Sequence, residues 1–127
     1  MERLSLDTNT PIKFSILALI ALIIGVFSLS ATASKRSDVA WQALNNGAML
    51  IDVRTAQEFK SGYLDKAINM PLSSLNKLAN PLDRNTSIVV YCRSGSRASQ
   101  AKRQLYDMGF VNVINGGGLE EMQASKP

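Results

Sequence analysis

Apolar positions fall into one long block near the start of the chain and several short ones after it. From Phe14 to Ser34 there is no charge, and Ile16 to Leu29 is almost continuously apolar. A run with no polar face does not suit a helix packed on a soluble core. The small-x-small pattern Ala31-Thr32-Ala33 follows it, as at signal-peptidase sites. The uncharged stretch also reaches the roughly 20 residues that span a bilayer. Residues 1–33 are therefore expected to be a signal peptide or a retained transmembrane anchor. Either outcome directs the chain to the membrane and predicts a periplasmic or cell-envelope location. Arg3 and Lys13 before the run are matched by Lys35 and Arg36 after it, so charge counting leaves the orientation of an anchor open. No cysteine follows the run at which a lipoprotein anchor would attach.

Residues 34–127 read as one folded domain in which strands alternate with helices. Asp38 is expected to cap a helix over Val39 to Asn45, ended by Asn46-Gly47, with Trp41 and Leu44 facing the core. Met49 to Val53 is a short apolar run, predicted as a buried strand. Thr55 and Glu58 have the spacing of a capping box and open a brief helix, which Gly62 breaks. A short strand over Lys66 to Met70 stops at Pro71, and Ser74 is expected to cap a helix through Leu75 to Ala79. Ile88 to Tyr91 is predicted as the central strand. The helix that follows, Ser96 to Met108, carries Ala98, Ala101, Leu105 and Met108 on one face and stops at Gly109. Val111 to Ile114 is expected as the last strand and Leu119 to Ala124 as a closing helix. Gly116-Gly117-Gly118 lacks the Lys-Ser/Thr ending of a nucleotide loop and reads as a flexible turn between them. This alternation predicts an α/β domain with a mainly parallel sheet flanked by helices.

Composition narrows the chemistry. The chain has no histidine, which removes Ser-His-Asp hydrolysis, His-ligated zinc and imidazole base catalysis. Its single cysteine excludes an intramolecular disulfide and any Cys-x-x-Cys pair. Of 14 Lys and Arg and 10 Asp and Glu, only Arg3, Lys13, Glu2 and Asp7 lie in the first 33 residues, so the domain keeps the net charge of +4. These charges are dispersed and give no support to nucleic-acid binding. A mildly basic surface suits small anionic substrates.

The candidate chemistry centres on Cys92. A β-branched run feeds it, and the polar, basic loop Arg93-Ser94-Gly95-Ser96-Arg97 leads into a helix. If the loop curls around the sulfur, its amides form an anion-binding nest at a helix N-terminus. Arg93 and Arg97 add positive charge, and such surroundings favour a nucleophilic thiolate. The competing reading of a lone cysteine is a small buried hydrophobe. Asp52 and Glu58 are read as a supporting acid with a basic partner and a helix cap, not as a general-acid pair.

Tyr91-Cys92-Arg93-Ser94-Gly95-Ser96-Arg97-Ala98-Ser99 resembles the active-site loop of the rhodanese family of sulfurtransferases. Ile51-Asp52-Val53-Arg54, with Glu58-Phe59 and Gly62-Tyr63-Leu64, is similar to the family's Asp-Val-Arg, Glu-Phe and Gly-His-Ile segment. Ala67-Ile68-Asn69-Met70-Pro71-Leu72 is similar to its Ala-Ile-Asn-Ile-Pro stretch, and Val113 to Leu119 to its closing Gly-Gly element. The likeness covers roughly residues 38 to 124. Tyr63 stands where histidine is usual and Met122 near a common tryptophan, both read as packing variation.

The resemblance implies a single rhodanese-like domain and a ping-pong sulfur transfer. Cys92 would attack the sulfane sulfur of thiosulfate or a similar donor, release sulfite and carry a persulfide. A thiophilic acceptor, cyanide or a thiol, would then take the sulfur. Arg93, Ser94, Gly95, Ser96 and Arg97 would bind the donor, Asp52 and Arg54 would support the loop, and no metal or organic cofactor would be needed. Two alternatives remain. A persulfide-binding or sensing module would keep the cysteine without turnover. Phosphatases and arsenate reductases that share the fold resemble Cys-x5-Arg, whereas four residues separate Cys92 from Arg97.

Overall fold

The computed structural model describes residues 36–127. The signal peptide or anchor expected over residues 1–33 lies outside the described residues. Among the described residues, no helix is long and apolar enough to cross a membrane.

Helix α1 covers residues 36–45. It is followed by β1 (Met49–Asp52), α2 (Ala56–Lys60), β2 (Ile68–Asn69), a 3-10 turn (Leu72–Ser74) and α3 (Leu75–Ala79). Then come β3 (Ile88–Cys92), α4 (Ser96–Asp107), β4 (Val113–Gly118) and α5 (Leu119–Ala124). The four strands form one sheet in the order β2-β1-β3-β4, and every pairing is parallel. This is the α/β arrangement that the alternation predicts.

All five side chains of β3 are buried, because helices cover both faces of the strand and neither face can be polar. Successive residues alternate between those faces. Ile88, Val90 and Cys92 join Ile51, Leu75, Ala98, Ala101, Leu105 and Phe110 in one cluster. Val89 and Tyr91 join Ala40, Leu50, Leu64 and Met122 in the other. Burying each aliphatic side chain contributes about 1.5–3 kcal/mol, so β3 is clamped from both sides. Its C-terminal residue, Cys92, inherits that fixed position.

The helix ends follow the local chemistry. Thr55 and Glu58 form the predicted capping box: Glu58 N–H donates to Thr55 Oγ1 at 3.2 Å and Thr55 N–H to Glu58 Oε1 at 3.2 Å. At the end of α4, Phe110 N–H donates to the Leu105 carbonyl and Gly109 N–H to that of Tyr106. With Gly109 at φ +100° this is a Schellman stop.

Several boundaries differ from the expectations. Asp38 lies inside α1 and does not cap it; near the helix start its carboxylate complements the dipole. Strand β2 is two residues long, not five, because Lys66 adopts a left-handed backbone at φ +65° that no strand accommodates. Ser74 makes no side-chain cap to α3, since the chain enters that helix through the 3-10 turn. Strand β3 continues one residue further, through Cys92.

The largest difference is β4, expected over Val111 to Ile114 and found over Val113–Gly118. Its three glycines are strand, not a flexible turn. Val90 pairs with Asn115 and Tyr91 with Gly117, so Gly116 is the extra residue of a bulge. A Cβ on Gly116 would lie 2.6 Å from Met122 Sδ, and one on Gly118 would collide with the Arg93 carbonyl oxygen. The glycines let β4 press against both the core and the cysteine loop.

Candidate active site

Cys92 ends β3 at the carboxyl edge of the parallel sheet, where open α/β sheets bind ligands. The chain turns at Gly95, with φ +98° and ψ −11°, a left-handed conformation that glycine adopts without steric cost. It then enters α4 at Ser96. The turn aims the Gly95 N–H at the cysteine, and it donates to Cys92 Sγ at 3.0 Å. Gly95 is the loop residue whose amide bonds the sulfur among the described residues, whereas a fully curled loop predicts several. The sulfur is therefore held at the N-terminal, positive end of a 12-residue helix. Cys92 is 1 % exposed, so a reactant reaches the thiol only past the loop.

The loop is braced from three directions. From β4, Asn115 Nδ2 donates to the Gly95 carbonyl at 3.1 Å, while Asn115 Oδ1 accepts Gly117 N–H at 2.9 Å. From α2, Glu58 accepts Arg97 Nη1 at 2.6 Å and Nη2 at 2.9 Å, and Arg93 Nε at 3.3 Å. From α1, Arg36 Nη2 donates to the Ser94 carbonyl at 3.2 Å. Arg36 is itself held by Glu121 of α5, with Nε–Oε1 and Nη2–Oε2 distances of 2.7 Å each.

These pairs set the local electrostatics. The Arg97 guanidinium, helped by Thr55 and by Arg93, holds the Glu58 carboxyl well below the usual carboxylate range. Glu58 in turn raises Arg97. Arg36 lowers the Glu121 carboxyl. Two guanidiniums share the single charge of Glu58, so the loop retains one positive charge in excess. Arg93, with a side chain 67 % exposed, is the freer of the two.

Asp52 and Arg54 lie behind the loop and do not reach the sulfur. They form a buried ion pair at the end of β1, with Arg54 Nη2 donating to Asp52 Oδ2 at 2.7 Å and to the Gly62 carbonyl at 2.6 Å. Arg54 N–H also donates to Asp52 Oδ1 at 2.9 Å. The guanidinium lies 5.8 Å from the Tyr91 ring centroid, and the Tyr91 hydroxyl accepts Leu64 N–H at 3.1 Å. Burial raises the Tyr91 phenol and keeps it neutral. The pair thus fixes the strand next to β3. Ser94 is exposed on the loop and Ser96 is exposed at the first residue of α4. Among the described residues no cluster of three or more Cys, Asp or Glu side chains is placed to hold a metal ion.

In the sequence Glu58 reads only as a helix cap, and no local pattern brings Arg36, Asn115 or Glu121 to the loop. The parallel neighbourhood of β1 and β3 gave a usable signal for Glu58, since the helix after β1 must start beside the loop after β3. For Arg36, 58 residues from Ser94, the local pattern carries no such signal. Of the two unusual positions, Met122 is fully buried, while Tyr63 is 52 % exposed. Tyr63 stacks on Phe59 at the surface, with centroids 4.1 Å apart.

Two consequences are measurable at this level. Gly118→Ala forces its new Cβ against the Arg93 carbonyl. It is expected to cost about 1–3 kcal/mol in stability and to slow Cys92 alkylation, read by thermal melting and iodoacetamide labelling; an unchanged labelling rate would separate β4 from the loop. The second is acid sensitivity. Because the folded Glu58 carboxyl is depressed, its stabilising pairing is present above the unfolded value and is lost as pH falls below about 4. Glu58→Gln should therefore melt lower than the parent at neutral pH and converge on it towards pH ~2; parallel curves across that range would contradict the pairing.

A rhodanese-like domain family model matches residues 37–125. The chain is 36% identical over 78 residues to the thiosulfate sulfurtransferase PspE of Escherichia coli, covering 60% of this chain and 75% of that protein. It is 33% identical over 88 residues to the thiosulfate sulfurtransferase GlpE of Pseudomonas savastanoi, covering 68% of this chain and 83% of that protein. A solved structure described as a rhodanese with anions from E. coli superposes with a TM-score of 0.55 at 35% identity, over 59% of this chain and 91% of that one. With the loop, the bulged glycine strand and the parallel sheet in the arrangement described, the chain belongs to the rhodanese-like domain family.

Proposed function

We propose that this protein is a sulfurtransferase that moves sulfane sulfur from thiosulfate or a similar small anionic donor to a cyanide or thiol acceptor. The observation that carries the reading is the Cys92 sulfur, bonded by Gly95 N–H at the head of α4. In this reading the thiolate attacks the outer sulfur of the donor; the S–S bond breaks and its electron pair leaves with sulfite. Cys92 then holds a persulfide, whose terminal sulfur the acceptor takes, regenerating the thiolate. The Gly95 amide and the helix end stabilise the negative charge. No base is needed once the thiolate is formed, which accords with a chain that has no histidine.

The excess positive charge on Arg93 and Arg97 attracts the oxyanion end of the donor, with Ser94 and Ser96 as neighbouring hydroxyls. The 1 % exposure of Cys92 favours a donor whose reacting sulfur projects as a narrow tip. The two named sulfurtransferases support this reading by likeness. No metal or organic cofactor takes part in it. Residues 1–33 would export the domain of residues 34–127, or anchor it, at the periplasmic side or elsewhere in the cell envelope; the uncharged run and Ala31-Thr32-Ala33 support this.

Thiocyanate formation from thiosulfate and cyanide tests the activity. Turnover is the expected result. Its absence, with persulfide still formed, would favour a carrier or sensing module. Hydrolysis of an aryl phosphate would favour phosphoryl chemistry, which the four-residue spacing from Cys92 to Arg97 disfavours.

A further inference from the structure

Arg36 and the sulfur of Cys92 act on opposite ends of one peptide unit. The Ser94 carbonyl accepts Arg36 Nη2 at 3.2 Å, and the N–H of that same peptide, on Gly95, donates to Cys92 Sγ at 3.0 Å. A trans peptide is planar, with its C=O and N–H pointing in opposite directions. Holding the oxygen therefore sets the direction of the N–H. A cation on the oxygen also polarises the unit and strengthens its donor end. Gly95 is a glycine in a left-handed turn and would otherwise reorient readily.

We propose that Arg36, oriented by Glu121, is a positioning residue that locks the Ser94–Gly95 peptide with its N–H on the Cys92 sulfur. The proposal rests on Cys92 being the sulfur-carrying nucleophile. Three features support it besides the two hydrogen bonds. Glu121 grips the guanidinium at two oxygens, 2.7 Å each, and also accepts Gly118 N–H at 3.3 Å, so the clamp is tied to the strand beside the loop. The guanidinium lies so close over Gly95 that a Cβ there would stand 2.7 Å from Nη2, so peptide and side chain restrict each other. Finally, Arg36 remains 45% exposed, as expected for a residue whose role is at the loop and not in the core.

The charged groups that brace the cysteine loop come from several elements. Arg36 and Glu121 lie on α1 and α5, Glu58 on α2, and Arg93 and Arg97 on the loop and α4, while the neutral Asp52–Arg54 pair sits behind the loop. The first pair is internally neutral, so its effect on Cys92 is directional more than a matter of net charge. Arg93 and Arg97 are engaged by Glu58 and do not reach the Ser94 carbonyl, which leaves that role to Arg36.

The test uses the full chain labelled with 15N-glycine, and Arg36→Met, Arg36→Lys and Glu121→Gln. Two readouts need no sulfur donor: the Gly95 amide proton shift and the rate of Cys92 alkylation by iodoacetamide at neutral pH. In Arg36→Met the Gly95 resonance should move upfield and alkylation should slow by about tenfold. Arg36→Lys should recover part of both, and Glu121→Gln should give an intermediate loss. The thiosulfate concentration for half-maximal rate should change little. A folded Arg36→Met protein with Gly95 shift and alkylation unaltered would overturn the proposal, leaving Arg36 as a bridge between α1 and α5. So would a change confined to thiosulfate dependence, which would mark Arg36 as a donor contact. If Arg36→Met fails to fold, Glu121→Gln decides by the same two readouts. Failure of the sulfurtransferase reading appears separately, as no sulfur gained by the unmodified protein while Gly95 and alkylation still respond to Arg36.

Discussion

Cys92→Ser is expected to reduce thiosulfate-dependent thiocyanate formation to background, a loss of at least about a thousandfold, with the fold retained. An alcohol is a far weaker nucleophile towards sulfane sulfur than a cysteine sulfur, and no histidine is present to activate it. Its oxygen can still accept the Gly95 N–H that now donates to sulfur, so the loop keeps its partner. The surrounding cluster of Val90, Ala98 and Ala101 loses only a modest volume. Initial rates and a thermal melt check the two halves of the expectation. Residual activity near that of the parent would remove Cys92 from the chemistry.

Arg54→Met should produce the largest loss of stability in the domain, about 3–5 kcal/mol, because it strands a buried carboxylate without its counter-charge. Asp52 is fully buried and Arg54 is 2 % exposed. One guanidinium satisfies both carboxylate oxygens and the Gly62 carbonyl together. Removing it also frees the turn after α2, and the Leu64 N–H that meets the Tyr91 hydroxyl lies in the next stretch of chain. Urea denaturation measures the loss. Replacing both members, as in Asp52→Asn with Arg54→Met, should cost less than Arg54→Met alone, since no net buried charge remains. A single variant within about 1 kcal/mol of the parent would mean that the pair behaves as a surface bridge and does not hold β1.

The parts of the site that were legible in the sequence are those encoded within one or two turns of chain. The β-branched run into Cys92, the amphipathic face of α4 and the Thr55–Glu58 box each depend on neighbours only a few residues away, and each is found at its expected place. The misread parts are long-range. Glycines normally weaken a strand, so Gly116-Gly117-Gly118 reads as a turn until the Arg93 carbonyl and Met122 are seen pressed against it. The short β2 reflects the left-handed backbone of Lys66, which no period-two pattern reveals. Glu58 meets Arg97 across 39 positions and Arg36 meets Glu121 across 85. Such pairs arise only once the parallel sheet has brought the ends of α1, α2 and α5 to the same edge.

The loop arginines also change meaning once they are seen in three dimensions. As sequence they are two cations beside a thiol, free to bind a donor. In the folded domain they are first of all partners of Glu58, which sets their spacing and leaves one positive charge in excess at the loop. A carboxylate that caps a helix thus also positions the groups expected to receive the donor's oxyanion.

Sulfur carried on Cys92 is read from the intact mass of the protein after incubation with thiosulfate. The expected result is a gain of one sulfur atom, localised to Cys92 and removed by cyanide. An unchanged mass, in a protein whose Cys92 is shown by alkylation to be reachable, would contradict it.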